Sequence, residues 1–197
     1  IGTGRVALAL AARGVEVHGV EASEAMVARL RAKPGGRDIP VTIGDMVAPD
    51  VAGPFRLIYI VFSTLFNLGT QDAQVRCIQH AARMLTDDGV FVIKALVPDP
   101  DAFRDGQATR TARVEEGRVL LTAARHDPAE QRIMTQLVEL TAGGVRLFPY
   151  QLRYAWPAEI DLMARLAGLR LRRRWASWRR APFAGTARQH ISVYGHG

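Results

Sequence analysis

The chain opens Ile1-Gly2-Thr3-Gly4 and runs directly into an alanine-rich segment. Glycines at such a junction let the backbone approach a ligand closely, and the following helix offers unpaired N–H groups to an anionic group. Gly2-x-Gly4-x-x-Ala7 also fits the glycine pattern of dinucleotide folds, so this signal is weak alone. Glu21 and Ala22 follow the segment His18-Gly19-Val20. A carboxylate at a strand's C-terminal end, facing the glycine turn, can accept hydrogen bonds from both ribose hydroxyls of a nucleoside. In Ile43-Gly44-Asp45-Met46, Asp45 can accept from an adenine amino group, and Met26 on the preceding helix can cover the ring or ribose. The plain alternatives are a solvated Glu21, an Asp45 that caps its own turn, and a Met26 in the core. A fourth stretch, Phe62-Ser63-Thr64-Leu65-Phe66-Asn67, leaves a central strand where the ligand crevice of a doubly wound sheet lies.

These residues need an alternating framework to position them. A helix is expected over Arg5–Arg13, a strand over Val15–Val20, and a helix from an N-cap at Ser23 to about Lys33, stopped by Pro34-Gly35-Gly36. Pro40–Ile43 reads as a short strand. Phe55–Phe62 is a near-continuous apolar run, as in a strand covered on both faces. A helix over Gln71–Leu85, with Val75, Ile78, Ala82 and Leu85 on its apolar face, leads through Asp88-Gly89 to a strand at Val90–Leu96. This alternation implies right-handed crossovers and a parallel sheet. Thr109–Tyr154 reads differently, as three or four antiparallel strands with turns at Glu116-Gly117, Asp127-Pro128 and Gly143-Gly144. Pro157 opens a final helix closed by Gly168, before strands at Leu169–Trp178 and Arg188–Tyr194. The expected architecture is an α/β, Rossmann-like doubly wound sheet at 1–107 and 155–197, ending in a reversed hairpin. An antiparallel β-subdomain at 108–154 interrupts it.

The 197 residues suit one domain with a small subdomain, and the composition, 48% hydrophobic and 23% charged, is that of a soluble globular protein. No apolar run reaches the roughly 20 residues of a membrane span, and a cytoplasmic location is expected. The single Cys77 excludes an internal disulfide and reads as a buried helix residue. No metal is expected, because the histidines show no ligand spacing. The net charge of +7 raises the question of nucleic acid. Of 26 basic residues only Lys33 and Lys94 are lysine, a bias of GC-rich bacterial genomes. The Arg170, Arg172, Arg173, Arg174, Arg179 and Arg180 cluster reads as a solvated edge strand.

Taken together, the motifs resemble the class I S-adenosylmethionine-dependent methyltransferases over nearly the whole chain. The family opens acidic-x-Gly-x-Gly-x-Gly at the end of its first strand. Ile1–Gly4 matches the tail of that motif, so the first strand and the motif's acid are expected upstream. The resemblance makes Gly2, Thr3, Gly4, Glu21, Ala22, Met26, Asp45, Met46, Phe62 and Ser63 the residues that bind S-adenosyl-L-methionine. It places a small-molecule acceptor, a natural product or amino sugar, near Phe66, Asn67, Tyr150 and Tyr154. The antiparallel insertion resembles that of bacterial enzymes of secondary metabolism, and would serve as an active-site roof or a homodimer interface.

The implied chemistry is alignment of nucleophile, methyl and sulfur with exclusion of water. An ammonium acceptor also needs a base, for which the candidates are Tyr150, Tyr154, His126 and His190. Each has a plainer reading: the tyrosines as packing or cavity wall, His126 as an exposed hairpin-turn residue, and His190 as structural. Two rivals are weighed. A nicotinamide-dependent oxidoreductase should show a Tyr-x-x-x-Lys relay, which is absent. A nucleic-acid methyltransferase commonly carries Asn/Asp-Pro-Pro-aromatic where this chain has Phe62-Ser63-Thr64-Leu65.

Overall fold

A computed structural model describes residues 1–197. The chain forms two compact units, Ile1–Pro54 and Phe55–Gly197.

In the first unit α1 (Ala7–Ala11) precedes β1 (Gly19–Glu21), α2 (Glu24–Arg31) and β2 (Val41–Ile43). Ser23 caps α2, its Oγ accepting from Met26 N at 3.3 Å. The α2 crossover brings β1 and β2 together in parallel, with Gly19 opposite Val41 and Glu21 opposite Ile43. Arg31 fastens the return by donating to the carbonyls of Gly36, Arg37 and Ile39 at 2.7–2.9 Å. Two expectations are corrected. The first helix is five residues long, its end marked by Gly14 at φ +77°. The first strand starts at Gly19 rather than Val15, because its partner β2 offers only three residues to pair with.

In the second unit β3 (Phe55–Ile60), α3 (Gln71–Arg83) and β4 (Leu85–Leu96) make a parallel crossover. After the inserted strands come α4 (Pro157–Leu166), β9 (Leu169–Trp175) and β10 (Gln189–His196), numbered in chain order. The sheet order is β3-β4-β10-β9, with β10 antiparallel to both β4 and β9. This is the expected reversed hairpin. Phe91, Ile93 and Ala95 of β4 are fully buried and lie opposite Tyr194, Ser192 and His190. The apolar run at β3 is not covered on both faces: Leu57 is 45% exposed, and β3 pairs only with β4 in its sheet. Strand β4 begins at Leu85, not Val90, and passes through Asp88-Gly89 as a bulge between its pairings with Phe55 and Leu57.

The inserted sheet is a four-stranded antiparallel meander of β5 (Gln107–Glu115), β6 (Arg118–Asp127), β7 (Arg132–Thr141) and β8 (Gly144–Arg153). The last hairpin turns at Ala142-Gly143, with Gly144 already paired to Thr141. Where the meander ends, Arg153 enters the interior. Its Nη1 donates to Gln74 Oε1 at 2.8 Å, and its Nη2 to Glu159 Oε1 at 2.7 Å and Gln131 Oε1 at 3.0 Å. Gln131 and Gln71 in turn donate to Glu159, and Gln74 Nε2 to the Arg153 carbonyl at 2.8 Å. One node thus joins α3, α4, the β6–β7 turn and the end of β8. It also corrects the expected face of α3, on which Gln74 is fully buried and Val75 only partly. Burial opposes ionisation of Glu159, but donors from Gln131, Arg153 and Gln71 outweigh it and hold the carboxyl below its usual range.

Removing one partner of such a pair leaves the other charge buried, at a cost of about 3–5 kcal/mol. Arg153→Met is therefore expected to lower unfolding stability by about that amount in urea titrations. Arg153→Met combined with Glu159→Leu should recover part of the loss.

Candidate active site

Within the first unit, the glycine turn and β1 meet at Glu21. Gly4 adopts φ +81°, and an added Cβ there would run into the Leu30 side chain, so only glycine fits. Gly2, at φ +61°, has no atom within 4 Å of where a Cβ would stand, leaving room for a ligand. Gly2 N donates to Glu21 Oε2 at 2.8 Å, and Ser23 N to Glu21 Oε1 at 2.9 Å. Burial works against the Glu21 charge, yet the N–H donors of Ser23 and Gly2 keep the carboxyl below its usual range. Each Glu21 oxygen accepts one backbone bond and keeps a second lone pair, which fits two adjacent ribose hydroxyls.

The neighbouring candidates are placed as follows. The Thr3 carbonyl accepts from Lys33 Nζ at 2.6 Å. Ala22 is exposed, Met46 half-buried, and Met26 40% exposed rather than core. Asp45 Oδ1 accepts from Val47 N at 2.9 Å, closing its own turn, while its other oxygen carries no hydrogen bond. An adenine amino group can use that oxygen.

Within the second unit, β3 is followed, after Val61, by two successive left-handed residues, Phe62 at φ 59° and Ser63 at φ 61°. Neither is glycine, and each such conformation costs on the order of 1–3 kcal/mol and persists only where its surroundings enforce it. Here Ser63 N donates to the Lys94 carbonyl and Ser63 Oγ accepts from Leu96 N, both at 3.0 Å. The turn is pinned across the end of β4, and the Lys94 ammonium lies 5.5 Å from the Phe62 ring centre. Phe66, named as an acceptor contact, is fully buried in the core, and Asn67 is exposed.

Leu96 also lines a cleft of about 490 Å³. Its walls include Pro98, Phe103 and Ile133, with Asp99, Arg110 and Arg188 as charged lining groups and His126 and Tyr154 beside them. Arg188 is ion-paired to Asp99. Tyr154, only 3% exposed, shares a 2.9 Å hydrogen bond with His126 Nε2. Phe103 lies 4.7 Å from the His126 ring, and Trp156 meets Tyr154 edge-on at 6.2 Å. His126 belongs to β6 and is half-buried, which corrects its placement in an exposed turn: β6 pairs as far as Asp127. Tyr150 is about half exposed on β8 and does not line the cleft. A smaller hollow of about 300 Å³ beside Gln71 and Arg153 is lined largely by the side chains of the buried node and its turn.

His190 stands apart from the cleft, fully buried, with Nδ1 2.9 Å from Ser192 Oγ. Phe103 and the polar interior at Gln74 and Gln131 escaped the sequence reading. Only the Pro98-Asp99-Pro100 bracket signals a shaped turn there.

The chain's relatives carry the same framework. Residues 1–89 match the Methyltransferase domain family. The CcbJ methyltransferase of Streptomyces caelestis is 42% identical, with a TM-score of 0.94 over 100% of this chain and 80% of that one. This chain belongs to the class I S-adenosylmethionine-dependent methyltransferases. A cypemycin N-terminal methyltransferase from a Streptomyces species is 28% identical to this methyltransferase over 98% of its chain and 79% of the relative. A SAM-bound amino pentose methyltransferase from Micromonospora echinaspora is 25% identical, with a TM-score of 0.71 over 98% and 79%. The enzyme's cofactor is S-adenosylmethionine, and no helix is long and apolar enough to cross a membrane.

Burial foremost, then the Arg174 charge, push His190 down to about 4. The unfolded chain then takes up the proton first, so stability should fall as pH drops from 6.5 to about 4. The fall attributable to this group is expected to be about 3 kcal/mol. Urea titrations across that range should show the slope in the native methyltransferase and its loss in His190→Gln.

Proposed function

We propose that this methyltransferase acts on the nitrogen of a small natural product or amino sugar. The observation that carries this is the cleft beside the pinned Ser63 turn, apolar along much of its wall but furnished with a His126–Tyr154 pair. Such a site suits a small acceptor that needs one proton handled. Nitrogen is favoured because the names of two relatives specify an N-terminal methyltransferase and an amino pentose methyltransferase.

S-adenosylmethionine supplies a methyl group already activated by its sulfonium. The protein's work is binding, alignment and water exclusion. We assign donor binding to Gly2, Thr3, Gly4, Glu21, Ala22, Met26, Asp45, Met46, Phe62 and Ser63. Glu21 holds the ribose edge and Asp45 the adenine edge. Residues 1–107 and 155–197 form the donor-binding part, and 108–154 cover the acceptor. The exposed apolar side chains of the meander, among them Val114, Val145 and Leu147, suit pairing with a second copy. A cytoplasmic location fits this reading.

Calorimetry with S-adenosylhomocysteine tests the donor assignment. Glu21→Ala is expected to weaken binding about 10- to 100-fold by removing a charged acceptor from two hydroxyls. Unchanged affinity in that variant, or binding of NADH in place of S-adenosylhomocysteine, would sink the assignment.

A further inference from the structure

The cleft contains a titratable pair whose arrangement goes beyond lining a wall. Tyr154 follows β8 directly, and its position is held by the buried node: its carbonyl accepts from Gln131 Nε2 at 3.4 Å. Trp156 meets the ring edge-on and His126 meets the hydroxyl. The imidazole is in turn packed against Phe103, with ring centres 4.7 Å apart. Both partners therefore have neighbours that fix their rings, and both line the same cleft as Leu96, the residue pinned to Ser63.

We propose that Tyr154 and His126 form a proton relay that converts a bound acceptor ammonium into the neutral amine. The inference rests on the nitrogen-acceptor reading above. The acceptor N–H donates its proton to Tyr154 Oη while the phenol's own proton moves to His126 Nε2. The N–H electron pair stays on nitrogen as the nucleophile, the phenol ends unchanged, and the imidazolium later returns its proton to solvent. Burial first, and then the Glu159 charge, raise the Tyr154 phenol above its ordinary value, so it keeps its own proton between turnovers. A phenol that holds a proton cannot act alone as a base. With an imidazole 2.9 Å away it can pass one on.

The relay requires His126 to carry its resting proton on Nδ1, leaving Nε2 as acceptor. Nitrogen-15 NMR of the imidazole reads this directly without turnover: a proton on Nδ1 is expected, and one on Nε2 overturns the relay. The kinetic test compares methyl glycosides of aminohexoses and aminopentoses with the same sugars carrying an alkoxyamine, which is already neutral at assay pH. Tyr154→Phe and His126→Gln are expected to lower kcat about 100-fold on the ammonium sugars and less than about threefold on the alkoxyamines. Affinity for S-adenosylhomocysteine should be retained in both variants. Equal losses on both acceptor types would reduce the pair to a packing role and overturn the relay alone. A protein that binds S-adenosylhomocysteine but methylates none of these sugars would overturn the amino-sugar reading and the relay argued for it. Failure to bind S-adenosylhomocysteine would overturn the donor assignment instead.

Discussion

The second unit turns on one buried cation. Arg153 ends the meander, and its guanidinium holds a glutamate and two glutamines drawn from α3, α4 and the β6–β7 turn. Desolvating such a group is costly, and the cost is met only because every partner is itself bonded. The consequence runs outward by one residue. Tyr154 is next in the chain, so the geometry that satisfies the charge also fixes where the phenol stands in the cleft. An apolar residue at 153 could fill the volume but would not set the direction of the chain leaving β8.

A second constraint acts at the end of β3. Phe62 and Ser63 both sit in a backbone region that β-carbon sterics disfavour, and the strain is held in place by two hydrogen bonds to β4. Strain that the surroundings over-determine is the mark of a turn whose exact course matters. Here it sits where a strand gives way to the short helical turn Thr64–Asn67, with Leu65 and Phe66 anchored in the core behind it. The turn's floor is hydrophobic and its pins are polar, so neither can drift independently.

Much of this was legible in the sequence because it rests on local signals. Ser23 caps α2, Gly168 ends α4 at φ +76°, and the four meander strands fall between turn dipeptides. The place of Glu21 against the glycine turn was legible because it follows the apolar residues of β1 directly, whereas at Asp45 the sequence left a turn cap open, and Oδ1 does accept from Val47 N. What escaped depends on partners distant in sequence. Gln74 looked like the polar side of α3 until Arg153, 79 residues later, met it in the interior. His126 looked like a turn residue because Asp127-Pro128 follows it, and only pairing with Ile133 shows that the strand continues. Strand limits failed for the same reason: β1 is as short as the neighbour it pairs with, whatever its own apolar run implies.

The meander's four strands follow one another in space as they do in sequence, joined by tight turns. None of them exchanges hydrogen bonds with the other sheets. Such a module can lengthen a hairpin, or trade side chains facing the cleft, without re-registering the strands beneath it. The His126–Tyr154 pair of the proposed relay comes from this module and its exit, while the glycine turn and Glu21 come from elsewhere. The side of the cleft that the meander supplies can therefore change without altering the glycine turn or the strand that carries Glu21.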